Sequence, residues 1–153
     1  MVFQMPALTK EELDSFLSKT GVARLCTHNP DGTMHAAPIW FMYDRGEFVF
    51  GTQQDSRRVK NIRGNPDVTI ILDQEQPPPK GVVVYGRAAL DYDDVVSKRI
   101  KIFEKYMPHA NAAELAQGLA KLRKPVIIRV PPTKVVSYDY DKDPTGLFKG
   151  KLF

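Results

Sequence analysis

The chain has 153 residues, enough for one domain whose core buries about two thirds of the surface the unfolded chain exposes. Lysine and arginine number 22 against 18 acidic residues, an excess that favours an anionic ligand and falls short of a nucleic-acid-binding tail. One cysteine, Cys26, excludes an intrachain disulfide, no apolar run is long enough to span a membrane, and residues 1–10 lack signal-peptide order, so a cytoplasmic setting is expected.

Thr9 and Glu12 form a capping box that starts a helix running to Lys19, with Leu13, Phe16 and Leu17 as its buried stripe. Residues 22–28 are β-rich and end at Asn29-Pro30-Asp31-Gly32, a turn in which Pro presets φ and Gly accepts positive φ. The returning strand, 33–43, is apolar on both faces, which suits a strand covered on each side. A turn at 44–47 leads to the strand 48–52. A short helix from Ser56 to Gly64 follows, with Asp55 or Ser56 as its N-cap and Val59 and Ile62 turned inward. Strands are expected at 68–73 and 82–90, separated by a proline-rich loop. Helices are expected at 93–106 and 110–122, and closing strands at 126–130 and 134–140. About six strands joined mostly by hairpins, with helices inserted between them, give an α+β fold built on an antiparallel six-stranded split β-barrel with peripheral helices. Residues 1–140 form one domain and 141–153 a C-terminal tail, left as either disordered or docked on a partner subunit.

The chemistry concentrates between Phe48 and Val68, where a strand end, a polar loop and a basic helix start follow in series. Free amides at that helix start favour an anion, and the guanidinium forks of Arg57 and Arg58 can grip phosphate oxygens. Thr52 and Ser56 add hydroxyls at the rim, and Lys60 adds charge one turn further on. On spacing alone, a solvated helix face is the usual account of such a charge run.

The residues from Gly21 to Leu90 resemble the flavin-binding split-barrel family related to pyridoxamine 5′-phosphate oxidase, including its cousins that bind the deazaflavin coenzyme. The resemblance is carried by Asp31-Gly32, Ala37-Pro38-Ile39-Trp40-Phe41, Phe50-Gly51-Thr52, Ser56-Arg57-Arg58 with Asn65-Pro66, and Val84-Tyr85-Gly86-Arg87-Ala88, in that order. It implies that Ser56, Arg57 and Arg58 hold the cofactor phosphate, with Lys60 nearby, and that Gly51 and Thr52 lie along the ribityl chain. Ala37, Pro38, Ile39 and Trp40 would then pass beneath the ring. Pro38 has no N–H and Ala36 and Ala37 are small, so a flat ring could approach this strand closely. Plain core or dimer packing is an equal alternative for Trp40.

The expectation is therefore an FMN-binding oxidoreductase, homodimeric, acting by hydride transfer on an unidentified small-molecule substrate, with no nucleic acid or membrane partner. The alternatives are a deazaflavin-dependent reductase of the same fold, aided by Lys60, Arg63 and Arg87, and a non-catalytic flavin-binding module. The oxidase's basic residues on the strand matching 36–41 and its C-terminal Arg and His have no counterpart here, and no catalytic residue can be named. His28 and His35 flank the first turn and could face each other, but two imidazoles without a third ligand predict no metal site. His109 reads as a cap or surface residue and Cys26 as core.

Overall fold

Two antiparallel sheets carry the expected strands in a computed structural model that describes residues 5–19 and 21–148. Among the described residues the chain runs α1 (Lys10–Lys19), β1 (Ala23–His28), β2 (Met34–Ile39), β3 (Phe41–Asp44), β4 (Glu47–Gln53) and α2 (Arg57–Gly64). It continues through β5 (Asp67–Asp73), β6 (Lys80–Arg87), β7 (Ala89–Asp91), α3 (Val95–Glu104), α4 (His109–Leu122), β8 (Pro125–Val130) and β9 (Pro132–Asp139). One sheet has the order β2-β1-β5-β6-β9 and the other β3-β4-β8-β7.

The α+β class stands; where a six-stranded split barrel was expected, the described residues form nine strands in two sheets, neither closed on itself. The difference arises where extended segments change sheets. The expected strand 33–43 divides at Trp40, with β2 at the edge of one sheet and β3 at the edge of the other. The expected strand 82–90 divides at Ala88, whose N–H leaves the ladder and donates to Pro66 O at 2.8 Å. Pro131, without an N–H, separates β8 from β9 in the same way.

Alternation along each strand builds the interior. Ala23, Leu25 and Thr27 of β1 point inward, and Phe48, Phe50 and Thr52 of β4 face them with Phe41, Ile70, Val84 and Ile128 in or beside one buried cluster. The other face of β4 and β8, through Val49 and Ile127, packs on Ile102, Phe103, Ala112 and Ala116 of α3 and α4. The outer face of the five-stranded sheet leaves Met34, Ile71, Tyr85 and Val136 exposed. The strand expected to be covered on both sides is thus open on its outer face within the protomer.

The capping box forms as read: Thr9 N–H donates to Glu12 Oε2 at 3.0 Å and Glu12 N–H to Thr9 Oγ1 at 3.2 Å. Helix α3 begins at Val95 rather than Asp93, because Asp94 adopts φ 48° and Asp93 N–H is held by Asp91 Oδ1 at 3.0 Å. The tail starts with a 3-10 turn, Tyr140–Lys142, after which Asp143 accepts from the amides of Thr145, Leu147 and Phe148. Phe148 packs edge-on against Tyr140 with centroids 4.4 Å apart, while residues 149–153 lie outside the described residues.

Asp91 fixes α3 to the second sheet. It accepts from Lys98 Nζ at 2.8 Å and Arg129 Nε at 3.1 Å. The Lys98 hydrogen bond, then the Asp93 amide and Arg129, hold its carboxyl down at about 2, below the usual 3.8. A depressed acid contributes stability above its unfolded pKa and loses it as pH falls through the folded one. Asp91→Asn is therefore expected to be less stable than the parent at neutral pH. In urea unfolding the two proteins should converge between pH 4 and 2, and a difference independent of pH would contradict the assignment.

Candidate functional site

Helix α2 is positioned from both ends of the segment that precedes it. Gln54 N–H donates to Lys124 O at 2.9 Å and its side chain to Pro125 O at 3.2 Å, while Asp55 pairs with Arg123 at 2.5 Å. Asp55 is thereby removed as a cap, and Ser56 takes the role, accepting from Val59 N–H at 3.4 Å. On the inner side of α2, Asn61 is buried and donates to Thr27 Oγ1 at 3.0 Å and Asn29 Oδ1 at 2.9 Å, tying the helix to the first hairpin.

This arrangement separates the two arginines. Arg57 is exposed and close enough to Asp31 to help lower that carboxyl, after the larger effect of the Thr33 hydroxyl and amide. Arg58 is half-buried, and burial alone lowers its guanidinium. Among the described residues no carboxylate pairs with it. Beneath the helix, Asn61 Oδ1 and, on β2 opposite Thr27, His35 Nδ1 are buried without hydrogen-bond partners. A half-buried, unpaired guanidinium beside the free amides of a helix start is suited to an oxyanion. Lys60 is exposed one turn along the same helix.

The other expected positions fall on different faces of their strands. Ala36 and Pro38 point outward with Met34, whereas Ala37 and the buried Ile39 point inward. Trp40 sits at the break between β2 and β3, 38% exposed, stacked on Tyr106 with centroids 4.5 Å apart and edge-on to Phe103 at 5.8 Å. Tyr106 fixes that break: its hydroxyl accepts from Phe41 N–H at 3.0 Å and donates to Phe41 O at 3.2 Å. Thr52 is buried on the barrel side of β4, its hydroxyl reaching Gln53 Oε1 at 3.4 Å. Gly51 faces α3, where a Cβ would stand 2.7 Å from Arg99 Cγ. Its missing side chain makes room for Arg99.

Three cations are thus desolvated without an acid partner: Arg58, Arg99 and Lys105. Lys105 lies 3.5 Å from the centroid of Phe41, and burial pulls its ammonium down to about 8. The sequence reading missed Arg99, Lys105 and Tyr106. The available signal was Arg99, Phe103 and Tyr106 at i, i+4 and i+7 on one helix face, a cation interrupting an apolar stripe.

The histidines, the cysteine and the remaining cations are placed as follows. His28 pairs with Met34 and His35 with Thr27, so the two imidazoles lie on opposite faces of the hairpin. No metal-binding cluster is found among the described residues. Cys26 lies on the outer sheet face between Ala36 and Thr69, partly buried rather than in the core. His109 opens α4, exposed and bonded to Glu104 at 2.5 Å. Arg87 is paired with Asp67 at 2.9 Å and Arg63 donates to Tyr92 Oη at 3.1 Å. No described helix is long and apolar enough to cross a membrane.

Residues 9–137 match the pyridoxamine 5′-phosphate oxidase family. The chain belongs to this family. No curated protein matches it. Among solved structures of the same fold, a conserved hypothetical protein from Mycobacterium tuberculosis is 20% identical with a TM-score of 0.80, covering 99% of this chain and 98% of that one. An F420 reductase is 25% identical with a TM-score of 0.65, covering 80% of this chain and 94% of its own. A FAD-binding protein from Mesorhizobium loti is 18% identical with a TM-score of 0.61, over 88% and 97%.

Proposed function

We propose that this family member is a homodimeric oxidoreductase that holds FMN by its phosphate at the start of α2 and acts on a small organic substrate. The observation that carries the reading is Arg58, half-buried at a Ser56-capped helix start with no carboxylate to neutralise it. Arg57 adds a second, exposed cation. The resemblance would place Ala37, Pro38, Ile39 and Trp40 beneath the ring and Gly51 and Thr52 along the ribityl chain. The bound flavin supplies hydride chemistry, while the chain anchors, orients and shields it from water. Supporting a dimer, Met34, Ile71, Tyr85 and Val136 leave an exposed, largely apolar outer sheet face that a second copy would cover.

A second reading keeps the fold and replaces FMN with the deazaflavin coenzyme F420. It is favoured by the likeness to the F420 reductase and by a cavity of about 510 Å³ beside α2, where Lys60, Arg63, Arg123 and Lys124 outnumber the one acid, Asp55, which Arg123 neutralises.

Purification separates these readings. A yellow protein of twice the chain mass by light scattering, releasing FMN on denaturation, is the expected result. A colourless protein that binds only the deazaflavin would support the second reading. A stable monomer that still binds cofactor at micromolar concentration would contradict a site completed between subunits.

A further inference from the structure

Arg99, on α3, is only 3% exposed, and its Nε and Nη1 are buried without a hydrogen-bond partner. Its neighbours each have an acceptor: Lys98 and Arg129 share Asp91 at 2.8 Å and 3.1 Å, and Lys105, without an acid, donates to Leu17 O at 3.1 Å. Among the described residues no carboxylate pairs with Arg99. A desolvated guanidinium without an acceptor is unfavourable, so a position that keeps one points to an acceptor supplied from outside the chain.

The location says what kind of acceptor. The Arg99 stem occupies the space left by Gly51, and its guanidinium carbon lies 5.4 Å from the Phe103 centroid. Trp40 also meets Phe103, edge-on at 5.8 Å, so indole and guanidinium share Phe103 as a neighbour. Continuing the β3–β4 register, in which Phe41 pairs with Phe50, brings Trp40 opposite Gly51. The exposed part of Trp40 forms the lip of this corner. A flat ring against the indole and an anionic group toward Arg99 are the two features the corner can recognise together.

We propose that Arg99 is the counter-ion for the carboxylate, or a comparable oxyanion, of a planar substrate seated at Trp40. As a statement about substrate this rests on the oxidoreductase reading above. Arg99 comes from α3, whereas the phosphate grip is built by the start of α2.

Trp40 is the chain's one tryptophan, so indole fluorescence reports on this corner directly. Titration of the purified protein with benzoate should quench it saturably, and neutral benzamide, of the same shape, should bind about tenfold more weakly or worse. Arg99→Met should lose about tenfold or more in benzoate affinity, with Arg99→Lys between it and the parent. FMN affinity should stay unchanged in both variants. The Met variant should also melt about 2–4 °C higher, since an apolar side chain of similar length replaces an unpaired buried charge. A purely structural arginine predicts the reverse, a destabilised Met variant with benzoate binding intact. Equal quenching by benzoate and benzamide, or none by either, overturns the proposal without any variant having to fold. Failure of the parent to bind FMN would overturn the cofactor reading alone, and an Arg99-dependent benzoate site would still support this one.

Discussion

Arg58→Ala is expected to weaken FMN binding about ten- to hundred-fold, the value of one charge-assisted contact to phosphate. The fold should persist, because Arg58 makes no ion pair among the described residues and burial disfavours its charge. Arg57→Ala should have the smaller effect of the two, since Arg57 is exposed and shares its charge with Asp31. The order of the two losses is the informative part, and calorimetric titration of each variant measures it. Equal FMN affinity in the parent and the Arg57/Arg58 double variant, with intact circular dichroism, would return the basic cluster to a solvated helix face.

Phe41→Ala carries the largest expected cost in stability, about 3–5 kcal/mol, as for other fully buried phenylalanines. Phe41 is fully buried, packs on Phe48 with centroids 6.1 Å apart, and carries Lys105 over its ring. It also lies where the chain passes from one sheet to the other, so truncation loosens the Tyr106 clamp that orients Trp40. Urea unfolding should show the loss of stability, and the Trp40 emission of the folded variant should shift as its stack on Tyr106 relaxes. A loss below about 1 kcal/mol would mean that the site collapses around the deletion and that this junction is not tightly packed.

What the sequence made legible was local. The capping box at Thr9 and Glu12, the turn at Gly32 and the Ser56 cap each depend on residues a few positions apart, and each forms. The family relationship was legible for a similar reason, since ordered short motifs survive in sequence. The sheet switches were not. An apolar run from Ala36 to Met42 states that the strand is extended and says nothing about which sheet each half joins. The histidines were misread because a one-residue change of register moves a side chain to the opposite face, and the hairpin pairs His28 with Met34. Arg99 was invisible because its isolation depends on α3 meeting β4 at Gly51, a contact between segments far apart in the chain. Arg58, Arg99 and Lys105 became a pattern only once burial showed which basic side chains, among the described residues, are desolvated without an acid partner.

The central claim is that a flavin-type cofactor is held by its phosphate at the start of α2. Riboflavin has the ring of FMN and lacks the phosphate, so comparing the two ligands on the unmodified protein isolates that interaction. Calorimetric titration is expected to show FMN binding at least about tenfold more tightly than riboflavin, the difference shrinking at high salt as the phosphate contacts are screened. Equal affinities for FMN and riboflavin, or a difference unaffected by Arg58→Ala, would contradict the account.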